Sequence, residues 1–193
     1  LGADLFCGAW RDGVLLDSGE AIDSEQCRSE YESWFDDFRI ALFFALLGRN
    51  LQHAEQVADY IGDDLPFDEG SWDRDANDRL AYSLICEYIC KKKVSLDAAE
   101  TITQGRSKRP KLLLSLLVAI QKGDPTAFEK PFRDLVNHFK NREMKLAKRD
   151  INTVRIVTSF DAGVILNLAT MEGMEVTLPD DDIADFVITN TSL

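Results

Sequence analysis

Cysteine, histidine, proline and basic residues are all in short supply in this chain. Its four cysteines, Cys7, Cys27, Cys86 and Cys90, are too few and too irregularly spaced for a disulfide scaffold, so a reducing compartment is expected. Cys86 and Cys90 stand four apart and share a helix face. With His53 or His138 they could reach zinc, but the spacing is not that of a structural zinc site, and they read as core cysteines. His53-Ala54-Glu55 lacks the paired histidines of a helical zinc protease. Neither a nucleophile elbow nor a phosphate loop is present, so no catalytic residue, cofactor site or metal ligand set is assigned. The early residues show no charged segment followed by an apolar run and a small-residue cleavage site. The expected location is cytoplasmic. With 22 bases against 34 acids, a net charge of −12 and a pI near 4.6, direct binding to nucleic acid or to an anionic membrane is not expected.

Long apolar runs are missing too. The strongest, Ile40–Leu47 (IALFFALL), covers less than half a bilayer core as a helix. It continues Tyr31, Trp34, Phe35, Phe38 and Leu42, whose three-and-four spacing marks a helix with one buried face. Because its second half is apolar on every side, this helix is expected to run from the rim of the domain to its centre.

What the chain does contain is helical periodicity broken by clear stops, with an ordinary apolar share of 45%. Residues 1–22 read as largely irregular, with a short helix near Leu5–Trp10. The first long helix is expected from Asp23 or Ser24 to Leu47, with Gly48 taking the left-handed stop. Asn50 caps a second, Leu51–Ile61, with Leu51, Ala54, Val57, Ala58 and Ile61 inward. A third covers Asp73–Lys93 with Leu80, Leu84, Ile85, Tyr88 and Ile89 inward, and Ser95 caps a shorter one to Thr103. A basic turn, Gly105–Pro110, then leads into Lys111–Gln121. Gly123-Asp124-Pro125 separates this from a helix with Phe128, Phe132, Leu135, Val136 and Phe139 buried, where Pro131 is either a kink or the true first turn. Lys140–Arg149 is a basic surface with His138 on the polar face beside it. The last long helix, Asn152–Met171, buries Val154, Val157, Phe160, Val164, Ile165 and Leu168. Met174, Val176 and Leu178 then alternate as an extended piece, and Pro179 opens a closing helical turn with Ile183, Phe186 and Val187 inward. The predicted fold is all-α: one domain over 1–193, of packed antiparallel helical hairpins, with about seven or eight helices.

The charges are segregated. Residues 1–90 hold 20 acids and 6 bases, residues 91–160 hold 7 acids and 16 bases, and residues 161–193 hold 7 acids and no base. The acidic stretch Asp59–Asp78 mixes carboxylates with aromatics. Asp59, Asp63, Asp64, Phe67, Asp68, Glu69, Trp72, Asp73 and Asp75 form the candidate partner-binding set. Exposed aromatics would anchor a basic protein surface while carboxylates steer and select it. The competing reading is a solvated loop whose Phe67 and Trp72 fold back into the core.

The C-terminal third, in Leu168-Ala169-Thr170-Met171-Glu172-Gly173, then Met174-Glu175-Val176, then an acidic Pro179 segment, resembles the immunity proteins of bacterial polymorphic-toxin systems. The likeness is to immunity family forty-nine, over about residues 160–187. The resemblance implies an antitoxin that binds a cognate toxin domain and occludes its active site without chemistry of its own. A basic toxin such as a nuclease would suit an acidic inhibitor, whose carboxylates replace phosphates. Asp180, Asp181 and Asp182 join the partner-binding set on this reading. The rivals are a helical adaptor with a basic partner and an enzyme whose site carries no recognised motif.

Overall fold

The computed structural model describes residues 14–15, 19, 21–22, 34–59, 76–143, 158–176 and 187. Among them are seven α-helices: α1 (Trp34–Leu47), α2 (Leu51–Asp59), α3 (Ala76–Lys91), α4 (Leu96–Gln104), α5 (Lys108–Lys122), α6 (Pro125–His138) and α7 (Phe160–Met171). The all-α expectation holds. Within the segment read as irregular, Val14–Leu15 (β1) and Ala21–Ile22 (β2) form a two-residue antiparallel ladder.

Local chemistry explains most boundaries. Asn50 is the N-cap of α2, its Oδ1 accepting from the His53 amide at 3.0 Å. The stop of α1 differs from expectation by one residue. Arg49, at φ +50°, takes the left-handed position, while the Asn50 amide bonds to Ala45 O and the Arg49 amide to Leu46 O. That is a Schellman closure with an arginine where glycine is usual. Gly123, at φ +62°, closes α5 in the same way, and Asp124 then caps α6 through the Ala127 amide. Between α5 and α6 a two-residue connection therefore suffices. Helix α5 opens at Lys108, three residues before the expected start. Pro110 fits its first turn because no intrahelical donor is required there. Pro131 lies inside α6, where it removes the bond to the Ala127 carbonyl. Helix α6 runs on into a π-helical turn, Phe139–Glu143.

Consecutive helices pack as hairpins, α1 on α2, α2 on α3 and α5 on α6, and α3 also packs on α5. Helix α7 returns from the far end of the sequence to pack on α1, α5 and α6. It is the innermost element, since every residue from Asp161 to Ala169 is buried. The expectation for the chain's centre is corrected accordingly. Helix α1 is not enclosed all round, because Phe44 is 49% exposed and Ile40 and Leu47 are partly exposed on the same arc. Leu51, expected inward on α2, is also exposed. Helix α7 is shorter than expected, since Thr158 and Ser159 precede it as buried non-helical residues. The Ser159 side chain caps the Ala162 amide.

Where α7 meets α1, Gly163 touches Phe43 so closely that a Cβ there would fall 2.3 Å from the ring. The Phe43 ring is itself fixed edge-on against Phe160 and Phe44. At the other end Gly173, at φ +80°, ends the helix. The Met174 amide returns to Ala169 O, and Met174 is buried while Val176 packs against the core. Val187 is also buried. The expected helix near Leu5–Trp10, the helical start at Asp23 or Ser24, and Ile61, Val154, Val157, Leu178, Pro179, Ile183 and Phe186 lie outside the described residues.

Candidate functional site

Asp59 ends α2 and is exposed, so the acidic stretch begins on the surface. Asp63, Asp64, Phe67, Asp68, Glu69, Trp72, Asp73, Asp75, Asp180, Asp181 and Asp182 lie outside the described residues. Asp78, at the other end of the stretch, is turned inward, and its Oδ2 accepts from Arg109 Nη1 at 3.0 Å. It belongs to a different arrangement that sequence reasoning did not find.

That arrangement is a cluster of charges between four helices. Asp161, on the first turn of α7, has a side chain only 2% exposed. Its Oδ1 accepts from Arg39 Nη2 of α1 at 2.6 Å and from the Tyr82 hydroxyl of α3 at 2.5 Å. Its Oδ2 accepts from Arg109 Nε of α5 at 2.6 Å. Arg109 bridges onward to Asp78 of α3, and Arg39 lies over the Tyr82 ring at 5.5 Å. The guanidinium side chains of Arg39 and Arg109 are 12% and 14% exposed, so both are largely inside.

Burial alone would raise the Asp161 pKa. The Arg109 and Arg39 guanidiniums, with hydrogen bonds from Arg109 and Tyr82, overcome it and hold the carboxyl well below the usual carboxylate range. Burial and the Asp161 charge together push the Tyr82 phenol well above its ordinary value. With both its oxygens occupied by three donors, Asp161 is saturated as a structural acceptor. Its position in the first turn of α7 also complements the helix dipole. One signal was available in the sequence: Asp161 is a lone acid beside the apolar run Ala162–Leu166, and Arg39 interrupts the apolar start of α1. The sequence assigned neither charge a place in the interior, and both are inside.

The other candidates resolve individually. The His53 ring is held by its own cap, with Asn50 Nδ2 3.0 Å from Nδ1. Cys86 is buried and burial pushes its thiol well up, as expected of a core cysteine. Cys90 departs from that expectation: it is exposed, with its thiol directed at Glu55 O, and its pKa is raised by burial of part of the side chain and by Asp59 and Glu55. Among the described residues no three His, Cys, Asp or Glu side chains gather as metal ligands would. Nor is any described helix long and apolar enough to cross a membrane. His138 is not on an open polar face but half-buried at the end of α6, facing cations from α5 and the π-turn.

Compared with family models, curated proteins and solved structures, the chain matches none.

Proposed function

We propose that this chain is an immunity protein, a cytoplasmic antitoxin that binds a cognate secreted toxin domain through an acidic surface and occludes it. The observation that carries the reading is the net charge of −12 carried by the chain. A chain of that charge attracts a basic partner and repels nucleic acid and anionic lipid. Asp161, buried and held by three donors, and His53, its ring engaged by its own helix cap, have structural roles. The C-terminal resemblance supplies the class of partner, and exposed Asp59 marks where the acidic stretch begins.

The test is co-purification from the native host followed by kinetics. The expected catch is a toxin domain encoded beside this chain and neutralised on co-expression. Reversing charge at Asp63, Asp64, Asp68 and Glu69 should slow association at low salt by about tenfold or more, since steering raises on-rates by factors of about 10 to 1000. Unchanged association rates would remove the acidic stretch as the binding surface. Capture of a housekeeping protein would favour the adaptor reading.

A further inference from the structure

The excess of acid is not shared by every part of the fold. Residues 105–142, which contain α5 and α6, hold nine bases and three acids. Helical spacing gathers several of these bases on one surface. Along α5, Lys108, Lys111, Ser115, Val118 and Lys122 follow at three-and-four intervals and share one face. Each is exposed or half-exposed, while Leu112, Leu113, Leu116, Leu117 and Ile120 are buried on the other side. Along α6, Thr126, Lys130, Arg133 and Asn137 are exposed at the same spacing. Lys108 Nζ comes within 3.9 Å of Asp134 Oδ2, which sets the two stripes side by side across the packed hairpin. Five bases thus share its outer face. The acids beside them are engaged, Asp134 with Lys108 and Glu129 with Arg133 at 3.3 Å. Lys111, Lys122 and Lys130 pair with no acid among the described residues.

Such a face fits an acidic counterpart, and the chain carries one itself. Residues 1–90 hold 20 acids against 6 bases, and Asp59 among them is exposed at the end of α2. A nucleic acid is negative on every side and meets the repulsion of the whole chain. A second copy brings its own segregated bases and can present its acids alone to this face. We propose that the outer face of the α5–α6 hairpin docks the acid-rich part, residues 1–90, of a second copy of this chain. The proposal makes no use of a toxin. The stripe on α5 is about 21 Å long and two helices side by side are about 20 Å wide, so the face offers about 400 Å². That is about half of what each partner gives to a standard interface, so the contact is weak, with a Kd on the order of 1 mM. Because it joins unlike faces it is heterologous, and a third copy can add to the second. Its attraction fades as salt shortens the screening length from about 10 Å at 0.1 M to about 3 Å at 1 M.

The test is static light scattering of the full chain at rising concentration. In about 0.1 M salt the mean mass should exceed that of one copy by about a third at about 0.5 mM protein, and it should return to one copy in about 1 M salt. Lys111→Glu combined with Lys130→Glu, both on the face, should abolish the rise. Lys91→Glu combined with Lys93→Glu makes the same change in net charge at exposed positions at the end of α3, and it should leave the rise in place. Both double variants should keep the helical circular dichroism of the parent. A mass of one copy at every concentration would overturn the proposal, as would an undiminished rise in K111E/K130E. Equal loss in the two double variants would also overturn it, by tracing association to net charge alone. Binding of a single-stranded oligonucleotide by a chain that stays monomeric would overturn it in favour of nucleic acid.

Discussion

Three donors from three helices meet on the Asp161 carboxylate, and the cost of removing it follows from what would be left behind. Asp161→Ala leaves Arg39 and Arg109 largely buried and facing each other across the gap. Breaking a buried pair from one side costs about 3–5 kcal/mol, although Arg109 keeps its bridge to Asp78. Urea unfolding should show that loss, and a change under about 1 kcal/mol would mean that water reaches the guanidiniums in the variant. Gly163 makes a second prediction at this scale. Its contact with Phe43 leaves no room for a methyl, and the ring is wedged against Phe160 and Phe44. Gly163→Ala should therefore destabilise by about 1–3 kcal/mol through overpacking, read as a lowered thermal midpoint.

Individual helices were largely legible from periodicity and punctuation. The stripe Phe128, Phe132, Leu135 and Val136 is buried as its spacing requires, and Asn50 and Asp124 cap α2 and α6 as their residue types favour. Replacing Asp124 by Ala should cost about 1 kcal/mol by releasing the Ala127 amide, measured by the same urea titration. Two kinds of information were not legible. Periodicity says which residues are apolar but not which apolar helix is innermost, so α1 was placed where α7 stands. Both runs are apolar on most sides, and only tertiary packing leaves Phe44 at the surface and encloses Ala162–Ala169. Nor does periodicity pair charges: Asp161 and Arg39 lie 122 residues apart, and no local pattern links them. The part of the acidic stretch that the structure does describe divides between an exposed Asp59 and an inward Asp78, a division its composition gave no reason to expect.

At the scale of the whole molecule, titration should make the fold sensitive to acid from two sources of the same sign. His138 has its folded pKa lowered, by burial first and then by Arg142 and Arg109. The unfolded chain therefore takes up this proton more readily, and stability declines as pH falls below about 6.5. The folded pKa of Asp161 is also depressed, so its contribution is complete above the ordinary carboxylate value near 4 and drains away as pH falls further. A thermal-melt series in chloride buffers should be flat between about pH 7 and 8, fall gently below 6.5 and fall steeply below 4. His138→Gln should remove only the upper part of that decline. The position of Asp161 late in the chain also has a consequence in time. While the protein is being synthesised, Arg39, Tyr82 and Arg109 all emerge before the carboxylate that neutralises and joins them. Until α7 arrives, Arg39 and Arg109 lack the carboxylate that joins them, and among the described residues only Asp78 of α3 is in place beside Arg109. A chain that ends ahead of α7 should therefore stay loose however many of its helices have formed, and this core should close late, in one step, when its last helix docks.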